Sequence, residues 1–218
     1  MEQLKMFNDK TVVRTTIDSD AGEDIQIFRI DGEIPENVVN NSYLNIFRND
    51  KKSIHNIALY PCKFIPQLPR WAINKYSKEG DTILDPFSGG GTTLIEARKL
   101  NRNVVGFDYN PYAVLLGKVK SDLYKREVLD NKLKNLIENF LNEESDIALP
   151  EFRGVDFWFN KDVLRALSVI KKHVNGIKEK SIKDFFRVVF SMVVRKSSYV
   201  APGPIVTGKL KINSSKFR

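Results

Sequence analysis

The residues best suited to do chemistry lie in the run LDPFSGGGTTLIEA, residues 84–97. Asp85 ends a short apolar run. Pro86, Phe87 and Ser88 follow, then three glycines from Gly89 to Gly91, then Thr92 and Thr93 at the head of a helix-like pattern. Glycine takes positive φ and lets a ligand approach the backbone. A helix starting near Thr92 would offer its unpaired N–H groups at the same place. A second apolar run, residues 103–107, ends at Asp108, 23 residues after Asp85. That is close to the roughly 20 residues that separate such a turn from an acid accepting ribose hydroxyls. Tyr109 and Asn110 come directly after it. Phosphate-binding turns are built differently. The dinucleotide fingerprint needs glycine where Leu94 stands, and a P-loop needs a lysine that does not follow these glycines. An aspartate just before the turn repels a pyrophosphate and attracts an ammonium group. A ligand with adenosine, no phosphate and a positive charge suits both ends, and S-adenosylmethionine is that ligand.

Such a turn must be carried by a strand on each side and a helix between, the first βαβ unit of a nucleotide-type site. Residues 82–85 and 103–107 predict two short buried parallel strands, with a helix after the glycines and another opened by Pro111. Upstream, TVVRTTI (11–17) and IQIFRI (25–30) alternate and are β-branched, with a turn cluster between them, and predict a hairpin. The stretch from 31 to 53 reads as irregular or short helical, and residues 66–78 as a helix. Leu129, Leu133, Leu136, Ile137, Phe140 and Leu141 fall on one stripe of a long amphipathic helix. Two more helices are expected over 161–177 and 182–199. The Pro/Gly-rich tail from 201 reads as loose, and DFWF with Trp158 as core, with a base-stacking platform as the alternative.

Composition narrows the partners. The chain has 218 residues, net charge +8, and no apolar run near the length of a membrane span. From residue 151 onward there are 15 Lys/Arg against 5 Asp/Glu, whereas the first 150 residues carry 20 against 22. A basic last third on a near-neutral body suits a polyanion, nucleic acid first among them. A lysine-rich solvated surface is the plainer alternative. The one cysteine, Cys62, excludes a disulfide framework, and His55 and His173 are isolated in sequence, so no metal site is expected. The start MEQLKMFNDK lacks a secretory apolar region, which points to the cytoplasm.

At this point the residues resemble a family. DPFSGGGTTLIEA is similar to the cofactor motif of DNA amino-methyltransferases, which methylate the exocyclic amine of adenine or cytosine. VVGFDYNPYAV resembles that family's next motif, with Asp108 at the ribose position. HNIALYPCKFIPQLPRWAI (55–73) resembles the motif that folds over the methionine end of the cofactor, through Tyr60, Pro61, Lys63, Phe64 and Pro66. By themselves Phe64 and Phe87 would equally suit a core, and Lys63 a solvated surface. Residues 155–167 and 190–199 resemble more loosely a helical insert of one subgroup. The resemblance implies an α/β fold: part of a class I, Rossmann-like methyltransferase sheet, with an N-terminal β-hairpin and a C-terminal helical region. It divides the chain into an extension (1–50), a cofactor-binding half (51–125), a basic helical insert (126–200) and a tail (201–218). It implies S-adenosylmethionine bound by Tyr60, Lys63, Phe64, Asp85, Pro86, Phe87, Ser88, Gly89, Gly91, Thr92, Thr93, Asp108, Tyr109 and Asn110, with DNA as partner and a restriction-modification setting.

The family also needs a [D/N/S]-P-P-[Y/F/W] motif, which accepts from the target amine and stacks on the flipped base. No two of the nine prolines here are adjacent, so no catalytic residue is assigned. A full methyltransferase sheet has about seven strands, and two buried parallel strands do not make a stable sheet alone. The expectation is a split or truncated enzyme whose catalytic motif lies on a second polypeptide or a C-terminal continuation. A non-catalytic cofactor- or DNA-binding fragment and part of an RNA methyltransferase are the alternatives.

Overall fold

The structure is a computed structural model that describes residues 12–18, 24–30, 33–34, 38, 42–46, 53–58, 60–61 and 63–200. Cys62 and the tail from 201 onward lie outside them. Strands β1 (Val12–Asp18) and β2 (Asp24–Ile30) pair antiparallel, and β3 (Ser42–Ile46) pairs with β2 in parallel. The third strand corrects the reading of residues 31–53 as irregular or short helical. SYLNI is too short to display a period, and what decides it is packing: Leu44 and Ile46 lie against buried Ile30 and Ile34. Trp71 packs on the same cluster from α1 (Gln67–Tyr76) and so joins this sheet to the rest of the chain.

The second sheet has two strands, β4 (Thr82–Asp85) and β5 (Asn103–Gly106), paired in parallel with Asp85 opposite Gly106. Helix α2 (Thr92–Lys99) crosses between them, and Leu94, Ile95 and Ala97 are buried. The expectation of buried strands is not met. Leu84 is 62% exposed, Val105 43% and Phe107 60%. The apolar character is there, but among the described residues no layer covers that face.

Helix α3 (Pro111–Ser121) starts where proline at its first turn costs no hydrogen bond, and Asn110 caps it by accepting from the Tyr112 N–H at 2.9 Å. Leu116 and Val119 pack with Ala58 and with Val188 of α7 (Lys180–Ser197). Helices α4 (Arg126–Leu141) and α6 (Lys161–Asn175) close on α7 from the other side, around Val174, Ile177, Ile182 and Phe186. Helix α7 is therefore the spine that ties the βαβ unit to the helical region. Two of the six residues of the α4 stripe, Leu129 and Leu136, meet that cluster, while Leu133, Ile137 and Leu141 stay exposed. The short helix α5 (Val155–Trp158) holds no buried residue, and Phe157 is exposed with its ring against the edge of Trp158. The reading of DFWF as core is corrected: Phe157 is exposed, and Trp158 and Phe159 are only half-buried.

Candidate functional site

The glycine turn is held from two directions. Asp108, just beyond β5, accepts from the Gly89 N–H at 2.8 Å through one carboxylate oxygen and from the Asn110 N–H at 2.8 Å through the other. The Ser88 N–H donates to the Phe107 carbonyl at 2.8 Å, and Asp85 accepts from the Phe87 N–H at 3.1 Å. The two strand ends are thus locked to one another through the turn. Each Asp108 oxygen retains a lone pair, because an ionised carboxylate has about four acceptor sites. Both acids can serve the turn and still meet a ligand.

Gly91 takes φ +80° and is the N-cap of α2, which no side chain caps. A Cβ placed there would stand 2.6 Å from the Cα of Gly117 in α3. The close approach of the two helices is what requires glycine at this position. Sequence reading missed Gly117, although a glycine inside the helical run YAVLLGKVK is a costly residue and so a signal.

The predicted residues other than Phe64 lie in or beside the turn. Pro86, Phe87, Tyr109 and Asn110 are exposed around the turn, and Ser88, Gly91 and Thr92 are buried beneath it. Phe87 is 86% exposed, too much for the core reading of that ring. Tyr60 lies with its ring 3.4 Å from where a Gly89 side chain would begin, and Lys63 lays its stem on Gly90 at 3.2 Å in the same sense. Phe64 stands apart from the glycines. With Leu68, Ala72, Ile83 and Leu84 it lines a cleft of about 390 Å³ that opens on Asp85 and Thr93. The region offers an acid on each side of a glycine turn, an uncapped helix N-terminus, exposed aromatic rings and an apolar cleft. It can hold a nucleoside with an amino-acid or ammonium appendage.

Two groups beneath the turn were not foreseen. Glu96 is fully buried and accepts from Arg70 at 2.5 Å and Lys99 at 3.0 Å, with His55 Nε2 at 2.6 Å. Burial alone would raise its pKa, but hydrogen bonds from His55, Arg70 and Lys99 outweigh it and hold the carboxyl at about 2. His55, isolated in sequence, is thus paired in space. Lys120 is buried behind Gly90. An acid within the apolar run LIEA was the available signal for Glu96; Lys120 gave none. Among the described residues no group of three or more His, Cys, Asp or Glu is arranged to hold a metal.

The sequence matches two family profiles. One is DNA methylase, over residues 5–118. The other is D12 class N6 adenine-specific DNA methyltransferase, over residues 66–209. It is 32% identical over 171 residues to Type II methyltransferase M.MvaI of Kocuria varians, covering 73% of this chain and 38% of that protein. It is 35% identical over 97 residues to Type II methyltransferase M.MjaII of Methanocaldococcus jannaschii, covering 44% and 18%. It is 38% identical over 93 residues to Type II methyltransferase M.BsoBI of Geobacillus stearothermophilus, covering 41% and 18%. The chain spans well under half the length of these relatives. DNA N6/N4 methyltransferases use S-adenosylmethionine as methyl donor, the ligand to which the acids and glycines of the turn point. The first profile covers just over half of the chain, including both strand ends and the turn between them, and the chain belongs to the DNA methylase family.

Proposed function

We propose that these residues form the S-adenosylmethionine-binding part of a DNA amino-methyltransferase of a restriction-modification system, with the catalytic motif on polypeptide outside them. The observation that carries this reading is the clamped turn, in which Asp108 fixes Gly89 while keeping acceptor capacity for a ribose. Asp108 would take the ribose hydroxyls, and Asp85 the ammonium of the amino-acid end. Tyr60 and Lys63 would close over that end from above the glycines. Phe87, Tyr109 and Phe64 would supply apolar contact. When bound, the cofactor supplies an electrophilic methyl on sulfonium; this chain's residues orient it and shield one side from water.

Residues 51–125 hold the cofactor in this reading, residues 1–50 are an extension, and the basic region 126–200 faces DNA phosphates or the catalytic part. The absence of adjacent prolines and the uncovered face of Leu84, Val105 and Phe107 support a second polypeptide or a continuation that completes the sheet.

Calorimetric titration of the chain with S-adenosylmethionine tests the reading, with Asp85→Ala as control. Binding should weaken by about tenfold or more in the variant, since a charged hydrogen-bonding partner is removed. A folded wild-type chain that binds nothing, alone and when co-produced with a polypeptide carrying the proline-proline motif, would sink it.

A further inference from the structure

Lys120 of α3 is only 4% exposed, yet it is a cation. Its ammonium donates to the Gly90 carbonyl at 3.1 Å, inside the turn, and to the His55 carbonyl at 3.3 Å, in the segment before α1. Among the described residues no carboxylate forms an ion pair with it. From that same segment Lys63 rests its stem on Gly90 and donates to the His55 carbonyl at 2.7 Å. Two ammonium groups thus converge on one carbonyl. One comes from behind the turn and one from the segment that covers it.

A buried ammonium with only carbonyl partners is an expensive way to fill space, and an apolar side chain of similar length would fill it at lower cost. What the ammonium adds is a bridge between two backbone segments far apart in sequence. If Gly90 and His55 are held at one distance, Tyr60 and Lys63 sit at one height above Gly89 and Gly90. The opening left for a ligand between cover and turn is then fixed. Misplacement of such groups by about 1 Å costs as much as a hundredfold in productive binding or rate.

We propose that Lys120 is a positioning residue for the cofactor, setting the gap between the covering segment and the glycine turn without touching the ligand. The inference rests on the reading of the turn as the S-adenosylmethionine site. In that reading the amino-acid end lies toward Asp85 and the covering segment, and the adenosine end toward Asp108. Lys120 therefore matters for the first end and not for the second.

The test is titration of the full 218-residue chain with S-adenosylmethionine and with 5′-methylthioadenosine, which keeps the adenosine end and lacks the amino acid. Wild type, Lys120→Met and Lys120→Gln are compared, with Tm measured on each. Lys120→Met should bind S-adenosylmethionine about tenfold more weakly, bind 5′-methylthioadenosine within about threefold of wild type, and melt no lower. Lys120→Gln, which retains two N–H donors, should fall between for S-adenosylmethionine. Unchanged S-adenosylmethionine affinity in folded variants overturns the inference and leaves the cofactor reading standing. Equal loss for both ligands together with a lowered Tm also overturns it, making Lys120 part of the fold alone. If Lys120→Met fails to fold, the same comparison is read from Lys120→Gln. A folded wild type that binds neither ligand overturns the cofactor reading and the inference together.

Discussion

Two buried charges beneath the turn act on stability in opposite senses. Glu96 has a folded pKa of about 2 against an ordinary 4.5, so the folded state holds its proton more weakly. Its contribution, on the order of 3 kcal/mol, is complete above about pH 4.5 and is lost as pH falls toward 2. Glu96→Gln should cost about 2–4 kcal/mol at neutral pH and flatten the acid limb of urea unfolding measured from pH 5 to 2. Lys120 runs the other way. Burial first, and then the Lys63 charge, lower its pKa from 10.5 to about 8. The unfolded chain binds the extra proton between those values, so stability rises with pH across that window and burial costs up to about 3 kcal/mol below it. The unfolding free energies of wild type and Lys120→Met should therefore converge above about pH 10. Gly91→Ala meets backbone, not a side chain that could turn away, and should destabilise by about 2–4 kcal/mol in the same assay. Asp85 and Asp108 were legible because they flank one local pattern. Glu96 was not, since its partners His55 and Arg70 lie 41 and 26 residues away and these contacts exist only once α1 and the segment before it pack on α2.

At the level of elements, the sequence pattern located every α-helix but the short α5 to within a few residues, and the strands flanking the turn lie where apolar runs meet acids. Burial of those strands was not legible. A continuous apolar run reports that a strand is built to be covered, not that the cover is on the same stretch of chain. Because Leu84 is 62% exposed, Leu84→Asp should leave the unfolding free energy of this chain within about 0.5 kcal/mol of wild type. A loss of several kcal/mol in urea unfolding would mean that the face is already occupied. Strand β3 escaped notice because its identity depends on Ile30 and Ile34, which precede it, and on Trp71, which follows. The Arg70 side chain makes a second tie across the same junction. It donates to Glu96 at 2.5 Å on one side and pairs with Glu33 on the other, so the N-terminal sheet is linked by charge to the helix that starts at the turn.

The whole molecule divides its charge unevenly. Exposed cations on and between α6 and α7 include Lys171, Lys178, Lys180 and Arg187, the last also 3.8 Å from an Asp184 oxygen. If this surface meets DNA phosphates, binding to an arbitrary duplex should weaken with salt. The triple change Lys178→Gln, Lys180→Gln, Arg187→Gln should lower the slope of log K against log salt by about one for each phosphate no longer neutralised, read by fluorescence anisotropy. An unchanged slope would place the DNA on another surface. Charge asymmetry was plain in the sequence; which cations stay exposed was not, because that depends on how α6 and α7 pack. The open β4–β5 layer has a consequence for handling the protein. Among the described residues no further strand pairs with β4 or β5, and such edges, beside an uncovered face of Leu84, Val105 and Phe107, are templates for any extended chain that comes near. Produced by itself, the chain should self-associate as its concentration rises, more so in high salt, where the repulsion of its +8 net charge is screened. If further strands complete the sheet as proposed, producing the chain together with them should keep it dispersed.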